Sequence, residues 1–168
     1  MQRTSFGEMQ CPIARSLERV GEWWSILILR DAFYGMTRFD EFQRSLGVAP
    51  TILTRRLKAL VEAGLLERRP YQARPVRYEY VLTERGRDFR PVILNLIAWG
   101  NRHFAPEGTS VEMEDARTGL AVDPGFVERG TDRPVPLRSI RVKAGPAAGD
   151  ALRERIARRR SMGEDKPS

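Results

Sequence analysis

From Pro12 to His103 the apolar residues fall into stripes of helical period, interrupted once by a stretch of period two. Pro12 suits the first turn of a helix, where its missing N–H costs nothing, and the first helix runs to Val20 before Gly21 ends it. Glu22 to Phe33 forms a second helix. Trp24, Leu27 and Ile28 turn toward the core, Trp23 is left at an interface or partly exposed, and Tyr34-Gly35 closes the helix. Thr37 stands as the N-cap of a third helix, Arg38 to Leu46, with Asp40 three residues on and Phe39, Phe42 and Leu46 facing inward. Gly47 stops it, and after Val48-Ala49 a fourth helix starts at Pro50 and runs to Ala63. The spacing predicts helix, short turn, helix. In this fourth helix Leu53, Leu57, Leu60 and Val61 form the buried stripe. The opposite side carries Thr51, Ile52, Arg55, Lys58 and Ala59, with Arg56 on the flank.

The period-two stretch follows. Leu65 to Arg69 forms a strand, Gln72-Ala73-Arg74-Pro75 a hairpin tip, and Val76 to Leu82 the return strand. Thr83 then caps one long helix from Glu84 to about His103. Its face of Phe89, Val92, Ile93, Leu96 and Trp99 is wider than one small domain covers, so a partner helix is expected against it. Ala105-Pro106-Glu107-Gly108 marks a boundary. Beyond it short strands are expected at 111–115, 119–122 and 136–142, then a weak basic helix from Ala147 to Arg160 and an unstructured end from Ser161. The expected architecture is mainly α with a small β wing, a winged helix-turn-helix, plus a short C-terminal β-rich appendage and terminal helix. The domains are 1–105 and 106–168.

Composition narrows the function. Twenty-nine Lys and Arg face 22 Asp and Glu, a net charge of +7 that favours a polyanionic partner. Residues 1–105 hold 17 basic and 11 acidic residues, a net of +6, whereas 106–168 hold 12 and 11, a net of +1. The polyanion-facing surface is therefore expected in the first domain. No apolar run reaches membrane-span length, and MQRTSFGEMQ lacks an apolar signal core. One cysteine, Cys11, cannot build an internal disulfide framework and fits a reducing cytoplasm. One histidine and one cysteine supply neither a Ser-His-Asp set nor a metal cluster, so an enzyme is disfavoured and no metal or cofactor is expected. His103 suits a cation at a helix C-terminus, and Asp123 and Asp132 suit turns.

A basic helix followed by a basic hairpin matches the way a winged helix-turn-helix meets double-stranded operator DNA. Thr51, Ile52 and Arg55 are placed to reach base edges: Thr or Ile against a thymine methyl, Arg on guanine. Arg56 and Lys58 are expected on phosphates, Arg74 at the wing tip in a minor groove, and Arg77 on the backbone. Thr37 and Arg38, at a helix N-terminus, can hold a phosphate through backbone N–H groups and charge. A winged-helix protein-interaction module is the competing reading, and basic residues on both helix and wing weigh against it. Cys11 precedes a helix whose positive end stabilises a thiolate, with Arg15 one turn on; packing at a seam is its plainer role.

Residues 11–105 resemble the HxlR family of bacterial transcription regulators, winged-helix proteins related to the MarR group. The likeness is carried in order by Cys11-Pro12, Trp24-Ser25, Ile28-Leu29-Arg30, Thr37-Arg38-Phe39 with Glu41-Phe42, Leu53-Thr54-Arg55-Arg56-Leu57, Ala63-Gly64-Leu65, Pro75-Val76-Arg77-Tyr78-Glu79-Tyr80 and Leu82-Thr83-Glu84-Arg85-Gly86. The resemblance implies a homodimer on operator DNA, with Ile13 and Leu17 of the first helix and Phe89, Val92, Ile93, Leu96 and Trp99 of the last at its interface. It also implies a sensing role, since several members use a cysteine at the place of Cys11 against quinones, aldehydes or oxidants. A small-molecule effector at the helical seam is the other expected input. One departure is Ala49, where the family often has a Ser cap; Ala loses roughly 1 kcal/mol of N-cap hydrogen bonding.

Overall fold

The computed structural model describes Met9 and residues 11–163, the last five of these by backbone alone. Contacts divide the chain into two compact units, Arg19–Pro124 and the pairing of Met1–Glu18 with Gly125–Ser168. These units meet along the chain at 18/19 and 124/125.

The winged unit forms as its apolar stripes dictate. Helices α1 (Pro12–Val20), α2 (Trp23–Phe33), α3 (Phe39–Leu46) and α4 (Pro50–Glu62) precede a hairpin of β1 (Leu66–Ala73) and β2 (Val76–Leu82). The core is built from Val20, Ile28, Leu29, Phe42, Val48, Leu53, Leu57, Leu60, Leu65 and Leu66, with Trp24, Tyr80, Leu82 and Phe89 packed on it. Burial of these side chains supplies most of the driving force, at roughly 1.5–3 kcal/mol each. Gly47 closes α3 in the left-handed conformation (φ +60°), which lets the chain turn directly into α4. Ala49 is the N-cap of α4 with no side-chain hydrogen bond, so Pro50 at the first turn starts this helix without a polar cap.

Asp31 lies buried in α2 at 1% exposure. Its Oδ1 accepts from Nε and Nη2 of Arg30 at 2.9 and 2.7 Å, while Oδ2 has no partner among the described residues.

Two sequence expectations change here. The cap of α3 sits one residue later than read: Arg38 is the N-cap and Glu41, not Asp40, closes the box. The long helix after Thr83 is two helices, α5 (Glu84–Arg87) and α6 (Arg90–Phe104). Pro91 explains the break, because it has no N–H to bond the Arg87 carbonyl and its ring crowds that turn. Thr83 caps α5 as expected, accepting from the Gly86 N–H at 3.0 Å and donating to the Gly64 carbonyl at 2.7 Å. Gly86 is pressed on the Leu65 carbonyl, where a Cβ would lie 2.1 Å from the oxygen.

The extension departs most from expectation. The segments at 111–115 and 119–122 meet through one bridge, Glu114 with Ala121, around a turn held by Asp115 and Gly119. No strand forms over 136–142; instead β3 (Phe126–Val127) pairs antiparallel with β4 (Pro134–Val135), and a 3₁₀ turn covers Leu137–Ser139. The terminal helix α7 spans Asp150–Gly163, past the expected end at Arg160, and the rest of the expected unstructured end lies outside the described residues. None of the described helices is long and apolar enough to cross a membrane.

Candidate nucleic-acid interface

The fourth helix projects one polar side away from the core. Thr51, Thr54, Arg55 and Lys58 are exposed and Ile52 is half-buried, while Leu53, Leu57 and Leu60 are fully buried. Thr54 joins this surface although the pattern reading omitted it. Its signal was present: it lies three residues after Thr51 and four before Lys58, on one helical face. Lys58 ion-pairs loosely with Glu62 at 3.7 Å, an exposed pair that leaves its ammonium free to exchange partners.

Arg56 is elsewhere. Its guanidinium Nη2 lies 2.8 Å from the Glu22 carboxylate at the N-terminus of α2, its side chain is only 11% exposed, and its Nε is buried without a partner among the described residues. The expectation that Arg56 meets a phosphate does not fit this placement. The physical reason is helical geometry. Residues three before and four after Arg56 are Leu53 and Leu60, both buried, so its stem starts on the inward flank. Arg55 instead has Thr51 and Lys58 as its neighbours.

The Thr37-Arg38 segment is occupied too. Oε2 of Glu41 accepts from the backbone N–H groups of Thr37 and Arg38, both at 2.9 Å. Those two donors, Arg38 first and Thr37 second, hold the Glu41 carboxyl below the usual carboxylate range. The backbone groups expected to cradle a phosphate are therefore already satisfied, and only the Arg38 side chain keeps that capacity. Its guanidinium sits 4.6 Å over the Tyr71 ring. Tyr80 donates its N–H to the Thr37 carbonyl at 2.7 Å, and the backbone of Arg38 forms an isolated antiparallel β-bridge with that of Glu79. The wing is thereby tied to the start of α3 as well as to its own hairpin.

Along the hairpin the register pairs Arg68 with Tyr80, Arg69 with Glu79 and Pro70 with Tyr78, then shifts between Pro70 and Gln72 so that Tyr71 is the extra residue. Arg68 covers the Tyr78 ring at 3.4 Å, and Arg69 bonds Glu67 at 2.7 Å. Arg74 at the tip, beside the cis Arg74-Pro75 bond, and Arg77 on β2 are both exposed. Sequence reasoning missed Glu22, Glu41 and Tyr71, each of which holds a basic side chain or backbone group of this surface in place. Only Glu41 carried a signal, three residues after the true cap.

Among the residues expected at a dimer seam, Ile13, Leu17, Val92, Leu96 and Trp99 are exposed. Ile93 is only 5% exposed and Phe89 packs on the core, so those two serve the chain's own interior rather than a partner. Trp23 is 73% exposed, in line with its expected place. Cys11 is half-buried at the start of α1; it borders a largely apolar cavity of about 340 Å³ lined also by Met9, Leu152 and Arg155. The Arg15 guanidinium turns to the Met9 carbonyl at 2.8 Å.

Comparison with known proteins places this surface in context. The model of the HxlR-like helix-turn-helix family matches residues 19–108. The uncharacterized HTH-type transcriptional regulator Rv3095 of Mycobacterium tuberculosis is 39% identical over 135 residues, 80% of this chain and 85% of that protein. The structure of PA1374, a candidate transcription factor of Pseudomonas aeruginosa, is 59% identical with a TM-score of 0.63, over 86% of this chain and 99% of that one. The redox regulator HypR in its oxidized form is 32% identical with a TM-score of 0.52, over 55% of this chain and 97% of that one.

Proposed function

The chain belongs to the HxlR family of winged helix-turn-helix transcription regulators, and from that premise we propose that it acts as a homodimeric, sequence-specific repressor. The observation that carries the reading is the exposed polar face of α4, with Thr51, Thr54, Arg55 and Lys58 free of the core and Arg74 and Arg77 exposed on the wing beside it in sequence. A major groove about 12 Å wide admits such a helix, and Arg55 is the side chain able to bond guanine O6 and N7 together. Lys58, Arg38 and the wing arginines supply phosphate contacts. Two copies related by a two-fold axis read half-sites about 34–36 Å apart on a pseudo-palindrome.

Exposed Leu17, Val92, Leu96 and Trp99 support the dimer, because an isolated chain gains nothing by holding these side chains in water. In a dimer, Leu96→Glu yields monomers in sedimentation and weakens operator binding. The input is Cys11 chemistry or a small apolar effector. Cys11 borders an apolar recess, and the likeness to HypR, itself a redox regulator, favours the thiol. Alkylating Cys11 with no change in operator affinity would remove that branch. The protein works in the cytoplasm as a regulator and not as an enzyme.

Selection of bound sequences from a random duplex pool, followed by salt titration of the winner, tests the whole reading. Enrichment of a palindromic motif, with affinity falling steeply with salt, is the expected result. A pool without enrichment even at low salt overturns it and leaves the protein-interaction module as the better account.

A further inference from the structure

The charge of the extension is not uniform. Residues 106–124 carry one Arg against five Asp and Glu, a net of −4, whereas residues 125–168 carry eleven Lys and Arg against six Asp and Glu, a net of +5. The change of sign falls at Pro124/Gly125, where the contacts also divide the two units. Within the second unit Arg133 is neutralised by Glu128 at 2.7 Å, and Arg153 is spent on the carbonyls of Ala148 and Pro146. Arg129, Arg138, Arg141 and Lys143 are exposed and bond to none of the described residues. Three of them fall between Arg138 and Lys143. Arg138 stands in the 3₁₀ turn, and Arg141 and Lys143 follow on irregular backbone, so the three lie within less than the roughly 17 Å that five fully extended residues would reach.

We propose that the unit beginning at Gly125 is a second, sequence-independent DNA-contacting element, which uses Arg138, Arg141 and Lys143 to grip backbone phosphates outside the half-site read by α4. This rests on the DNA-binding reading above. The acidic stretch 106–124 is repelled by phosphate and offers it no contact. Arg138, Arg141 and Lys143 have no acidic partner among the described residues, which is the condition under which phosphate binding releases counterions and gains affinity. An anionic membrane fits less well. Leu137, Ile140 and Val142 lie beside the cations in sequence, but the backbone from Arg141 to Ala144 has no regular hydrogen bonding, and lipid would leave its N–H and C=O groups unsatisfied.

The test compares the full-length protein with the triple variant Arg138→Ala, Arg141→Ala, Lys143→Ala on the selected operator. The duplex is used bare and then extended by a helical turn at each end. All three side chains are exposed, so circular dichroism and the urea midpoint should match the unchanged protein. On the extended duplex the log K against log salt slope should be shallower in the variant by roughly 2.7 for three lost contacts. The unchanged protein's advantage then shrinks about 40-fold between 50 and 200 mM salt. On the bare duplex the two proteins should bind alike. Arg55→Ala should lose sequence preference yet keep the gain from the added turns. Equal slopes and no gain from the added turns, with specific binding of the bare operator intact, overturn this inference alone. Absence of any DNA binding overturns it together with the function it rests on. Loss of binding to phosphatidylserine vesicles in the triple variant, with DNA slopes unchanged, overturns it in favour of a membrane.

Discussion

Arg56 and Glu22 make the sharpest single prediction, because sequence and structure assign Arg56 opposite jobs. In the folded chain their 2.8 Å ion pair is unequally buried, Arg56 at 11% exposure and Glu22 at 35%. Arg56 also keeps a buried Nε with no partner among the described residues. Replacing Glu22 by Ala removes the acceptor and leaves a guanidinium in a place water reaches poorly. A fully buried pair broken in this way costs about 3–5 kcal/mol, and an exposed pair about 0.2–1. The intermediate burial here puts Glu22→Ala at about 2 kcal/mol. Arg56→Met deletes the buried charge and its unpaired Nε while keeping most of the stem's packing, so it should cost less, about 1 kcal/mol. The double variant should stay near Arg56→Met alone, which gives a coupling of about 1–2 kcal/mol. Urea unfolding read by linear extrapolation measures all three. Salt titration of operator binding separates this role from phosphate contact: Arg56→Met should leave the slope unchanged, whereas a lost phosphate contact lowers it by about 1. A Glu22→Ala protein within 0.5 kcal/mol of the unchanged one, or a slope that drops by a full unit in Arg56→Met, refutes the reasoning.

Three further outcomes follow from the same geometry. Glu41 is held below the usual carboxylate range by the N–H groups of Arg38 and Thr37, so its contribution is present above the unfolded carboxylate pKa and is lost as pH falls through the lower folded value. Glu41→Gln should cost about 1 kcal/mol at pH 7, and the urea midpoints of the two proteins should converge as pH falls from about 4.5 through that lower folded value. Gly86→Ala places a methyl 2.1 Å from the Leu65 carbonyl oxygen, and thermal unfolding should show a loss of about 1–3 kcal/mol; an unchanged Tm counts against the packing of α5 on Leu65. Arg55→Ala should weaken operator binding by about 1–3 kcal/mol and relax preference at one base pair, seen by repeating the selection; a uniform loss across sequences would move Arg55 to the phosphates.

Helices α1 to α4 and β2 were legible in the sequence to within a residue or two because each buries one stripe of regular period, and glycines at 35 and 47 punctuate them. The helix after Thr83 was not, since its apolar period runs unbroken across a proline that removes one N–H. Residues 106–149 were misread: of the strands expected at 111–115, 119–122 and 136–142, only a single bridge forms between the first two, and the two-residue pairing of β3 with β4 lies outside all three. They bury too little apolar surface for any period to exist, and their short pairings depend on turns such as that at Asp115–Gly119. In the site, the exposed face of α4 followed from the wheel, and the tie of Glu41 was a local capping box misread by one residue, whereas the ties of Glu22 and Tyr71 depend on tertiary neighbours that no local pattern encodes.

The apolar face of α6 shows what that limit means for function. Phe89 and Ile93, four residues apart, turn into the chain's own core, with Ile97 half-buried one turn on. Val92, Leu96 and Trp99, at spacings of four and three, stay exposed. In the sequence these two stripes merge into one wide face, because both are apolar and adjacent. They answer to different requirements: one fixes α6 to the rest of the chain, and the other stays exposed, where the proposed dimer would cover it. α6 packs on α2, and α2 in turn packs on α4. Opening a cavity at this buried position, as in Ile93→Ala, should therefore cost stability in the single chain and weaken operator affinity together, whereas changes at Leu96 should act on assembly first.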